Sequence, residues 1–129
     1  MLIDVVVRLF SHLIRGLFYC MRFVMTNIKE YDSITIACQY KDDDGLPLSL
    51  AGVEIKSEMR TQNSALIDEL EVTVSDVDQG LFHLRPTKTR LPTGYHNIDI
   101  LFTKNGNRIS SDTFHITVSR AVTQGPTNA

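Results

Sequence analysis

The chain is 129 residues long, 43% apolar and 22% charged, a composition of one ordinary globular domain rather than a disordered or fibrous protein. A formal net charge of -2, a pI near 6.0 and the lack of any Lys/Arg stripe remove the electrostatic basis for nucleic-acid binding. Two cysteines, Cys20 and Cys38, are too few for a disulfide framework and suit a reducing compartment.

Residues 1–24 stand apart. They are far more apolar than the rest, and their polar residues Asp4, Arg8, Ser11, His12, Arg15 and Arg22 fall on one narrow face at helical spacing. The period predicts an amphipathic helix with a wide apolar face. A secretory signal fits poorly, because the basic residues are scattered and no small-residue cleavage site follows. A membrane span also fits poorly, because Arg8, Arg15 and Arg22 would lie inside it. Two readings of the segment stand. It is an extension upstream of the true start, with Met25 opening the protein, or it is a real helix for a membrane surface or a partner. Residues 25–129 carry 10 basic and 14 acidic residues.

From Met25 onward the apolar period becomes two. Ile34, Ile36, Cys38 and Tyr40 share one face of a first strand, in which Cys38 reads as a small buried hydrophobe. Asp42-Asp43-Asp44-Gly45 forms a turn, and Pro47 keeps the following residues extended or at an edge. Val53, Ile55, Ser57 and Met59 alternate with Glu54, Lys56, Glu58 and Arg60, so this strand keeps one wet face. After a turn at Gln62-Asn63-Ser64, the alternation resumes with Leu70, Val72 and Val74. The acidic run Asp68, Glu69, Glu71 is expected to solvate one face or to blunt an edge strand.

Asp76-Val77-Asp78-Gln79-Gly80 makes another turn. Phe82 and Leu84 define a strand that Pro86 stops, and residues 87–94 form a loop. Ile98, Ile100 and Phe102 line the next strand, Asn105-Gly106 signals a hairpin, and Phe114, Ile116 and Val118 form the last strand. About seven short strands separated by turn signals predict an all-β antiparallel sandwich over residues 25–122, preceded by the N-terminal helix. Residues 123–129 form a flexible polar tail.

Two stretches carry a resemblance. Tyr40 to Gly52 contains Asp42-Asp43-Asp44-Gly45-Leu46-Pro47-Leu48-Ser49-Leu50-Ala51-Gly52. Gly80 to Val122 contains Gly80-Leu81-Phe82-His83-Leu84, then Leu91-Pro92-Thr93-Gly94-Tyr95, then an Asn-Gly hairpin and a closing Thr113-Phe114-His115-Ile116-Thr117-Val118 strand. In their order these pieces resemble the immunoglobulin-like N-terminal domain of phage baseplate upper proteins and related tail-fibre attachment domains, over nearly all of residues 33–122. The resemblance implies an immunoglobulin-like sandwich and a non-enzymatic structural or accessory part of a bacteriophage or prophage tail or baseplate. It implies assembly into the virion in the bacterial cytoplasm, partners among the other tail proteins, self-association as a further expectation, and no cofactor. In the family such a domain heads a longer protein, whereas this sequence ends with the domain, which favours a small adaptor over a receptor-binding role.

Motifs for chemistry are sparse. His83, His96 and His115 are spaced by 13 and 19 residues, which matches no compact zinc pattern, and His83 and His115 read as outward strand residues. The acidic turns at Asp42 and Asp76 lack the twelfth-position Glu of a calcium loop and read as plain turns. No nucleophile elbow, phosphate loop, dinucleotide fingerprint or metalloprotease motif occurs, so neither a catalytic nor a metal-binding residue is assigned. Tyr95 and His96, after the Leu-Pro-Thr-Gly turn, are the candidate partner contacts. The alternative for Tyr95 is a corner tyrosine bonded to backbone. Two further functions remain: a carbohydrate- or surface-binding module, which needs exposed aromatics on one face, and a membrane-surface protein anchored by residues 1–24.

Overall fold

The computed structural model describes residues 2–4, 7–10, 16–20, 27–42, 44–111 and 113–123, with backbone alone for the first three stretches. Those three are short strands, β1 (Leu2–Asp4), β2 (Val7–Phe10) and β3 (Gly16–Cys20). Much of the segment for which a helix was expected, residues 1–24, lies outside the described residues, as does most of the expected tail.

The strands that follow are β4 (Asn27–Lys29), β5 (Thr35–Asp42), β6 (Glu54–Thr61), β7 (Leu66–Glu69), β8 (Glu71–Asp76), β9 (Leu81–Arg85), β10 (Gly94–Lys104), β11 (Asn107–Ser110) and β12 (Phe114–Ser119). One sheet has the order β2-β3-β5-β9-β8, with β1 also on β5. The other has the order β4-β12-β10-β6-β7, with β11 also on β10. Pairing is antiparallel except for β1 with β5 and β4 with β12.

The two sheets close on one core, as the alternating pattern requires. Ile36, Cys38, Phe82 and Leu84 come from the first sheet, and Met59, Ile98, Ile100, Phe102, Ile116 and Val118 from the second. Across the interface the Phe102 ring stacks on Tyr40 at 5.1 Å and meets the edge of Phe82 at 5.8 Å. Eleven residues of β10 alternate in and out and carry the second sheet, with β6 along one side. β11 and β12 share the other side, interrupted around Ser111. At that break the Ser111 amide donates to Ile100 O at 2.8 Å and the Ile100 amide donates to Ser111 Oγ at 2.8 Å, so both amides stay paired.

The turns form as their residues dictate. Asn105 and Gly106 both take positive φ, 51° and 81°, the two-residue hairpin geometry that an Asn-Gly pair favours. Asp42 Oδ1 accepts from the Asp44 and Leu46 amides, both at 2.9 Å, and Asp76 Oδ1 accepts from the Gln79 amide at 3.2 Å. Both acidic turns therefore use a carboxylate to cap backbone.

Within residues 25–122, two strands exceed the sequence expectation. β4 is three residues with a single buried side chain, Ile28, too short to show a period. β7 buries Ile67 and Asp68 side by side, because the chain leaves the second sheet at Leu70 and enters the first as β8. The expected solvated acidic run is thereby corrected at Asp68. This residue is buried and accepts from the Thr87 amide at 2.7 Å and from the Thr87 hydroxyl. Two donors make a buried carboxylate tolerable. Glu69 and Glu71 remain exposed.

Candidate functional site

The turn Leu91–Gly94 delivers the two candidate contact residues to the start of β10. Leu91 is buried and its amide donates to Glu30 O at 2.9 Å, which pins the turn to the segment after β4. The Glu30 side chain is itself buried, with its carboxylate 3.7 Å from the Arg90 guanidinium. From Gly94 the strand period sends neighbours to opposite faces. His96 points into the core and is buried, with Nε2 2.7 Å from Pro92 O. A carbonyl oxygen only accepts, so Nε2 is the donor in that contact, and Nδ1 has no partner. Tyr95 points outward and is 45% exposed. The structure thus splits the pair: Tyr95 is on the surface, and His96 holds the turn from inside.

On the outer face of the second sheet, the Tyr95 ring stacks on His115 at 4.8 Å and an interplanar angle of 23°. His115 Nδ1 lies 2.6 Å from Asn97 Oδ1. The ring is therefore held over the sheet, with β12 as its support. Register places Arg60 opposite Asn97 and Glu58 opposite Asp99, and Glu69 opposite Glu58 on the far side. Three carboxylates consequently lie in a row across β10, β6 and β7. The Arg60 guanidinium tempers the row, with Nη2 at 2.9 Å and Nε at 3.2 Å from Glu58 Oε1. Burial, and then the neighbouring Glu58 charge, push the Asp99 carboxyl above its ordinary value, with Arg60 pulling the other way. A depression of about 140 Å³ beside Glu58, Arg60, Asn97, Asp99 and Thr113 marks this spot.

A second hollow, about 410 Å³, opens at the end of the sandwich between Tyr40, Leu48, Val53, Phe102 and Ile109, with Lys104 at its rim. It lies between β5, the connection from β5 to β6, and the β10–β11 hairpin. Burial also pushes the Tyr40 phenol up.

The remaining polar residues serve the fold. Ser57, buried in the middle of β6, donates to Asp99 O at 2.6 Å. His83 is half-buried on β9, between Ala37 and Thr73. Among the described residues no three His, Cys, Asp or Glu side chains converge as a metal site would require. Sequence reasoning missed the Tyr95–His115 stack, because the two residues are far apart in the chain. Register alone, Tyr95 opposite Thr117 and Asn97 opposite His115, makes them diagonal neighbours. A scan against protein-family models and a search of curated proteins found no match to this chain.

Proposed function

We propose that this chain is an immunoglobulin-like adaptor domain of a bacteriophage or prophage tail or baseplate, acting through protein–protein contacts without catalysis. The observation that carries the reading is the order of the loop signatures on the two-sheet scaffold. The Asp-x-x-Gly-x-Pro segment caps the exit of β5, the Leu-Pro-Thr-Gly-Tyr turn opens β10, and the Asn-Gly hairpin joins β10 to β11. The topology supports the immunoglobulin-like form. β4 runs parallel beside the last strand, and the chain crosses between sheets from β5 to β6, from β7 to β8 and from β9 to β10. The use of Glu30, Ser57, Asp68 and Ser111 as internal ties supports a scaffold role, since these buried polar groups serve the architecture.

Gradient fractionation of phage particles or of an induced lysate, with detection of the chain by mass spectrometry, tests the proposal. The chain is expected to co-sediment with tails or virions at a fixed ratio to their other proteins. Recovery only as free protein at the top of the gradient overturns it.

One observation favours a second reading, a glycan-binding surface: the exposed Tyr95 ring braced by His115, with Asn97 and Arg60 beside it. Loss of glycan-array binding on Tyr95→Ala, in a variant that melts as the parent does, would select that reading.

A further inference from the structure

The flank of the sandwich where β8 ends the first sheet is unfinished. No strand pairs with the outer edge of β8 among the described residues, because the sheet order stops there. In the facing sheet β7 pairs with β6 from Glu58 to Arg60, and β6 approaches β8 without pairing with it.

The consequence appears at Val74. It lies opposite Phe82, and Val72 lies opposite Leu84. Residues opposite one another in an antiparallel pair share a face, so both valines face the core side. Yet Val74 is 42% exposed, and Val77 just beyond it is 44% exposed. A core-facing aliphatic left in water beside an unpaired backbone edge is where an added strand would bury apolar surface and satisfy main-chain donors and acceptors.

The charge around this edge selects what fits. Glu71, Asp76 and Asp78 are all exposed along it, and Arg85, opposite Glu71, offsets only one of them. A second copy of the chain would bring acidic residues against acidic residues, which is destabilising between strands. We infer that the outer edge of β8 is a strand-addition site for a partner segment that is extended, with aliphatic residues alternating with lysine or arginine. Its aliphatic side chains cover Val74 and its basic side chains lie along the acidic rim. The inference rests on the reading that the domain works by protein contact, and not on which assembly contains it.

The test uses the full chain and three synthetic peptides as long as β8: alternating lysine and valine, the same residues in two blocks, and alternating glutamate and valine. Fluorescence anisotropy measures binding, and hydrogen–deuterium exchange locates it. The alternating basic peptide is expected to bind at least about tenfold tighter than either control, to weaken with added salt, and to slow exchange in β8. Val74→Lys is expected to reduce that binding about tenfold while the melting temperature stays close to that of the parent. Equal binding of the block peptide, no binding, or protection confined to other strands overturns the inference. So does exchange in β8 that slows with protein concentration alone, because a second copy would then be the occupant. Failure here with successful co-sedimentation would leave the tail assignment intact and move the contact to another face.

Discussion

At Asp68 a buried carboxylate between two Thr87 donors replaces the solvated acid that Glu69 and Glu71 suggest. The burial follows from the change of sheet at Leu70, which turns two successive side chains inward. Asp68→Ala strands the Thr87 amide and is expected to lower unfolding free energy by about 2 kcal/mol. Urea denaturation would show this, and a double-mutant cycle with Thr87→Val should give a coupling above about 0.5 kcal/mol.

Asp99 has the opposite sign. Its carboxyl sits above its ordinary value in the fold, so the folded state favours the protonated form. The stability tied to that protonation is present below the unfolded value and is lost as pH rises through the folded one. At neutral pH the charge of Asp99 therefore works against the fold. Asp99→Asn is expected to stabilise the protein at pH 7 by about 0.5 kcal/mol, a small figure because Asp99 lies at the surface and solvent screens its charge. The gain should fade as pH falls toward about 4, which a series of melting curves between pH 3.5 and 7 would reveal.

Among the elements, β5 depends on a close approach that its own residues do not announce. Gly80 has φ 68°, and a Cβ there would stand 2.5 Å from Leu48 O and 2.7 Å from Tyr40 O. Both are backbone atoms held by the bonds from Tyr40 N to Gly80 O and from Leu48 N to Tyr40 O. Neither can yield cheaply, so Gly80→Ala is expected to cost more than about 2 kcal/mol. Gly45, also at positive φ but with open space around it, should cost less when changed to Ala, and the pair of variants separates backbone strain from collision. At the other edge of β10, Ser111→Ala removes the acceptor for the Ile100 amide. It is expected to lower stability by about 1–2 kcal/mol and to speed hydrogen exchange at Ile100 without affecting β5.

For the whole molecule, Cys38 is buried between the sheets and reports on how the sandwich opens. In a Cys20→Ser background its labelling by a thiol reagent is expected to proceed only through global unfolding. The labelling rate should therefore follow unfolding free energy across the Asp68 and Gly80 variants. Rapid labelling in the native protein would mean that the layers separate locally.

The period-two runs by themselves determined the all-β class and the inward faces of β5, β6, β9, β10 and β12. An alternating strand has only two faces, and the apolar one must be buried. Turn chemistry determined the caps at Asp42 and Asp76 and the Asn105–Gly106 hairpin, because these are bonds and dihedrals within a few residues. Tertiary structure alone decided that Asp68 lies inside, that His96 turns inward while Tyr95 stacks on His115, and that Val74 is left uncovered. Each of these depends on which strand lies beside or across from which, a long-range choice that no local spacing encodes.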